Sequence, residues 1–141
     1  VLPLLFFSTI AVFASCQSAQ PVPIKLHADR CEYCKMAIAD ASFAAEAITT
    51  KGRVYKFDDA VCLNNYVQEQ GKESFQSLWV AAYAPPNQFI DATKAFYIQS
   101  ETLHSPMRGN VAAFNTQKEA ETQGAAIGGQ LHSWDMIQSK K

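Results

Sequence analysis

Charge of one sign is what this chain most conspicuously lacks. Twelve Lys and Arg against thirteen Asp and Glu leave a formal net charge of −1 at pH 7. No basic cluster interleaved with aromatics stands out, so there is no electrostatic case for nucleic acid or for an anionic membrane surface. Glycine is sparse, six in 141 residues, and no glycine-rich run forms a phosphate-cradling loop. Histidine is sparser still, at positions 27, 104 and 132 only. Two cysteines plus one scattered histidine do not supply the four closed ligands of a structural zinc site.

Charged residues are absent altogether from Val1 to Ser15. That apolar run is short for a bilayer span and is interrupted by Pro3. It ends Phe13-Ala14-Ser15-Cys16, small residues before a cysteine and then a polar segment, which reads as a secretory signal and its cleavage site. Residues 1–15 are therefore expected to be removed and Cys16, placed as in a bacterial lipobox, to carry lipid. The segment 16–24, polar and punctuated by Pro21 and Pro23, is expected to be a tether. Residues 25–141 then form one domain with enough chain for a hydrophobic core.

What the chain does have is sulfur in a small space. Cys31-Glu32-Tyr33-Cys34-Lys35-Met36 places two thiols and a thioether where they can converge. Soft ligands of this kind favour monovalent copper over Zn, Mg or Ca. Met36 has a plainer use as the first apolar residue of a following strand. A redox Cys-x-x-Cys pair, and behind it a zinc knuckle, are the competing uses of the two cysteines. With Cys16 set aside, Cys31, Cys34 and Cys62 leave an odd count for an oxidising compartment, which favours thiols held by metal over a disulfide scaffold. Cys62 shares a helical face with Val61 and Tyr66, where core packing is its expected role and metal binding the lesser one.

A weak repeat organises the rest. Gly52-Arg53-Val54-Tyr55-Lys56-Phe57-Asp58 recurs at an offset of 57 as Gly109-Asn110-Val111-Ala112-Ala113-Phe114-Asn115. Each copy reads as a turn, a short strand and a helix cap. The first helix is predicted from Ala60 to Glu69, closed by Gly71. The second is predicted from Thr116, with a capping box to Glu119, toward Gly124. Strands are predicted at Phe43–Thr49, Leu78–Ala82, Ala95–Ile98 and Gln130–His132. The fold class is α+β, two pseudo-repeated ββαβ units over about 37–83 and 89–133. Asp91, beside Thr93, is expected to cap local backbone. Met107, on the polar loop Ser105-Pro106-Met107-Arg108-Gly109, is a second candidate donor. The repeat would set that loop opposite the Cys31–Met36 region across a pseudo-symmetric centre. His104 on the same loop is a possible further ligand, ahead of His27 and His132.

These features together resemble the copper-binding accessory lipoproteins of nitrous oxide reductase, the NosL type. The resemblance is carried, in order, by Cys16, Cys31-x-x-Cys34-x-Met36 and Lys56-Phe57-Asp58-Asp59 with Cys62. It continues through Ile90-Asp91-Ala92-x-x-Ala95-x-Tyr97 and Ser105-Pro106-Met107-x-Gly109. Arg108 separates Met107 from the glycine that usually follows it, and Lys35 stands where a small or polar residue is expected. The resemblance implies two ββαβ units and Cu(I) held by Cys31 or Cys34 together with Met107, with Met36 nearby and one position open for handover. It implies an extracytoplasmic, lipid-anchored metallochaperone rather than an enzyme. Its partners would be the transporter complex that matures nitrous oxide reductase and, directly or through it, that enzyme. The alternative from another class is a thiol-disulfide oxidoreductase, which needs Cys34 or Cys31 at a helix N-terminus.

Overall fold

The structure is a computed structural model that describes residues 19–86 and 88–138. The signal reading of residues 1–15 and the lipidation reading of Cys16 lie outside the described residues. Within them, two ββαβ units follow one another. In the first, β1 (Ala45–Thr49) and β2 (Val54–Phe57) form a hairpin, α1 (Ala60–Gln70) crosses over, and β3 (Phe75–Ala81) returns to pair with β1. In the second, β5 (Phe96–Gln99), β6 (Val111–Phe114), α2 (Gln117–Ile127) and β7 (Gln130–His132) repeat that order, with β7 pairing with β5. The first strand of each unit is thus central: β2-β1-β3-β4 in one sheet and β6-β5-β7 in the other. The short β4 (Phe89–Asp91) lies in the stretch assigned by sequence to the second unit but pairs with β3 of the first sheet. A short helix, α3 (Trp134–Gln138), follows β7 and was not foreseen.

Alternation explains how the sheets are covered. Tyr97, Val111 and Ala113 face the main core with Phe57, Leu63, Val67 and Val80, while Ile98, Ala112 and Phe114 face a second cluster with Ala120 of α2. Successive residues of a strand point to opposite faces, so the second sheet is buried on both sides. Close approach of α2 requires Gly124 inside the helix, because a Cβ there would sit 2.7 Å from Cδ1 of Ile98. The helix runs past Gly124 and ends instead at Gly128, whose left-handed φ of 75° forms the cap.

The outer face of the first sheet is not bare. Ser77 Oγ and Trp79 Nε1 both donate to the carbonyl of Ala19 at 3.1 Å, the Val22 amide donates to Glu46 Oε2 at 2.9 Å, and Lys56 Nζ donates to the carbonyl of Pro23 at 3.1 Å. Glu46 pairs in register with Lys56 on one side and Trp79 on the other. A strap from Ala19 to Ile24, within the segment read as a tether, is therefore fastened to polar side chains. Among the described residues, no helix is long and apolar enough to cross a membrane.

Candidate metal centre

The Cys31–Met36 stretch is a tight turn closing a small hairpin. Arg30 and Ala37 form a bridge, the Cys31 amide donates to the Met36 carbonyl at 2.8 Å, and the Lys35 amide donates to the Cys31 carbonyl at 2.9 Å. Lys35 takes a φ of 65° to close the turn, and Arg30 Nη1 fastens its carbonyl at 3.0 Å. The Glu32 amide donates to the carbonyl of Lys56 at 2.8 Å, which ties the turn to the edge strand β2. The exposed ion pair Lys35–Glu32 at 3.1 Å adds little.

Beneath this turn stands the N-terminus of α1. Asp59 is its cap, accepting the Val61 amide at 3.0 Å, and Cys62 lies in the first helical turn. The ligand atoms of Cys31, Cys34, Asp58 and Cys62 all lie within 4.8 Å of one another. All three cysteines are free, with Cys31 and Cys62 fully buried and Cys34 partly exposed. Cys62 packs in the core, as its helical face implied. Its thiol also joins the cluster, which residue spacing did not reveal.

The thiols are electrostatically unequal. The Cys31 thiol is pushed well below its ordinary value, first by a hydrogen bond from the Cys62 thiol and then, against burial, by the amides of Cys34 and Asp58. Donors to a thiolate stabilise it. The same contact with Cys31, together with burial, pushes the Cys62 thiol strongly up. Burial also raises Cys34, whose thiol points at Asp58 at 3.4 Å. The cluster thus presents one readily formed thiolate backed by two thiols and a buried carboxylate, a soft and largely dehydrated donor set suited to a monovalent soft cation.

The Met107 loop reaches the same helix start by a route the repeat did not predict. The Cys31 turn precedes β1, whereas the loop spans 100–110 between β5 and β6, so the two are not symmetry equivalents. Adjacent residues join them instead. Asp58 meets Cys34, while Oδ2 of Asp59 accepts the Ser105 hydroxyl at 2.5 Å and the Met107 amide at 3.0 Å. Met107 is 39% and Met36 54% exposed, whereas Cys31 and Cys62 are buried. His104 is exposed and lines a polar hollow with Glu101, Pro106 and Arg108. His27 is exposed at the foot of the hairpin, and His132 is buried on β7 beside Tyr97. Asp91 accepts both the amide and the hydroxyl of Thr93, the local cap expected of it.

The repeat placed the helix cap at Asp58, but the cap is Asp59, one residue further on, and Asp58 meets the Cys34 thiol instead. For the oxidoreductase alternative, the geometry is unfavourable, because Cys31 and Cys34 occupy a hairpin turn and open no helix.

Comparison with curated proteins finds no match. Among solved structures, the crystal structure of the copper chaperone NosL from Shewanella denitrificans has a similar fold. The TM-score is 0.74 at 20% identity, over 89% of this chain and 99% of that one. The NosL family model matches residues 21–141, a span that contains the thiol cluster and the Met107 loop. On that match this chain belongs to the NosL family.

Proposed function

We propose that the protein is an extracytoplasmic Cu(I) carrier, held to a bacterial membrane through lipid on Cys16, that supplies copper for maturation of nitrous oxide reductase. The observation that carries this reading is the convergence of three free thiols and a buried carboxylate within 4.8 Å of one another, at a helix start whose cap also accepts the amide of the exposed Met107. Cys31 and Cys34 would hold copper from below and Met107 from the rim, with Met36 a weaker donor. Copper is cargo here, so the site is a carrier's and not an enzyme's.

The same layering rationalises release. A buried thiolate retains the ion, whereas exposed neutral thioethers exchange first when a partner's sulfur or imidazole arrives. The thiolate would leave last, once the incoming ligands have replaced the others. The receiving partner would be the membrane transporter complex of nitrous oxide reductase maturation, and through it the enzyme. Anaerobic titration of the reduced protein tests the reading. We expect one Cu(I) per chain, bound far more tightly than Zn(II). Equal affinity for Zn(II), or no saturable Cu(I) binding, would contradict it.

A further inference from the structure

Asp59 is fully buried, yet its described side-chain hydrogen bonds are to Val61, Ser105 and Met107, all outside the thiol cluster. A helix cap requires only one acceptor, and Ser, Thr or Asn supplies it about as well. Here Oδ1 does that work, accepting the Val61 amide, while Oδ2 reaches a segment far along the chain to accept both the Ser105 hydroxyl and the Met107 amide.

The loop is shaped around that oxygen. Ser105 donates to Asp59 and accepts from the Asn110 amide at 2.8 Å, and the Arg108 amide turns back to the Ser105 carbonyl at 3.0 Å. Arg108 and Asn110 both take left-handed φ, 56° and 52°, conformations that L-residues adopt at a cost. Gly109 rides so close that a Cβ there would lie 2.7 Å from Asp59 Oδ1 and 3.2 Å from Val61 Cβ. A loop held in this way to a helix start has little freedom to move away from it.

We propose that Asp59 is a positioning residue, which holds Met107 over the thiol cluster through the same helix start that presents Asp58 to Cys34. The proposal rests on the reading of Met107 as a copper donor. Two adjacent carboxylates at one fixed helix end set the spacing between the thiol turn and the thioether loop. Removing the Oδ2 acceptor should therefore release the thioether and leave the thiols in place.

Asp59→Asn separates the two tasks, because its carbonyl oxygen keeps the cap while its NH2 opposes the Met107 amide. Ser105→Ala, which leaves the cap untouched, is the second variant. Three measurements decide: exchange of the Met107 amide in the metal-free protein, Cu(I) affinity, and the number of sulfur scatterers at the copper edge. In both variants we expect Met107 amide protection to fall at least tenfold. Cu(I) affinity should fall about 10–100-fold, the range for an outer-shell partner, with one sulfur lost. Asp59→Asn combined with Met107→Leu should bind no more weakly than the weaker single variant, since both remove the same thioether. Unchanged Met107 exchange, or wild-type copper binding in Asp59→Asn beside weakened binding in Met107→Leu, would overturn the proposal. In the second case the carrier reading would stand. Failure of the wild-type protein to bind Cu(I) would instead overturn the carrier reading and the proposal with it, whatever the exchange data show of the loop.

Discussion

The two helix starts of this protein use one device in opposite ways. Both helices follow a strand of the same topology, and both have a side chain on the first-turn amides. At α2 the arrangement closes on itself: Thr116 accepts the Glu119 amide, Glu119 accepts the Thr116 amide, and both stay exposed. At α1 the cap is buried under two loops and reaches out to one of them, while its neighbour Asp58 reaches the other. Among the described residues, the buried carboxylic side chains, Glu46, Asp58 and Asp59, all belong to the first unit. A duplicated scaffold can keep its helix start and acquire a site only where insertions cover it. Here those are the hairpin before β1 and the long β5–β6 connection.

The sharpest way to break the contrast is at the sulfur. Cys31→Ser replaces the most acidic thiol, and Cu(I) affinity should fall by more than the roughly 100-fold that losing an outer-shell partner can cost. Competition against a Cu(I) chelator measures it. Unaltered affinity would move the principal ligand elsewhere in the cluster.

Next in size is the cap itself. Asp59→Ala removes the cap and strands the Ser105 hydroxyl and the Met107 amide, so it should cost about 3 kcal/mol or more. Thr116→Ala, at the exposed start, should cost about 1 kcal/mol. Denaturant unfolding of both variants gives the comparison, and equal losses would remove the distinction drawn between the two helices.

Glu46 sharpens the comparison on the far face of the same sheet. Burial raises its carboxyl to about 7 from an ordinary 4.5, against the lowering effects of the Val22 amide and then of Lys56, which is itself ion-paired to Asp29 at 2.6 Å. Between those values the folded state keeps a proton that the unfolded chain has released. Stability should therefore be highest at the acid end of this window and fall as pH rises through it, by about 2–3 kcal/mol from this group. Glu46→Gln should flatten that slope, and unfolding at several pH values would show it. A slope unchanged by the substitution would count against the assignment.

Much of this was legible in the residues. Gly71 closes α1 and Thr116 with Glu119 opens α2, because caps are local chemistry, while the cap of α1 is Asp59, one residue past the Asp58 that the repeat indicated. Gly124 misled because a glycine inside a helix and one ending it look alike until the packing against Ile98 is seen. Trp134–Gln138 was missed because five residues carry no period. At the site, residue type pointed to Cys31, Cys34, Met36 and Met107. The entry of Cys62 and the reach of Asp58 and Asp59 depend on where a hairpin settles against a helix end, which spacing along the chain does not encode.

The central claim, one copper held between a thiol turn and a distant methionine, is tested most directly by X-ray absorption at the copper edge on the Cu(I)-loaded protein, Met107→Leu and Met36→Leu. The leucine replacements preserve volume and should cost under about 1.5 kcal/mol of stability. The account predicts that Met107→Leu loses one sulfur scatterer and that Met36→Leu retains the wild-type number. Loss of sulfur in Met36→Leu with Met107→Leu unchanged would contradict it.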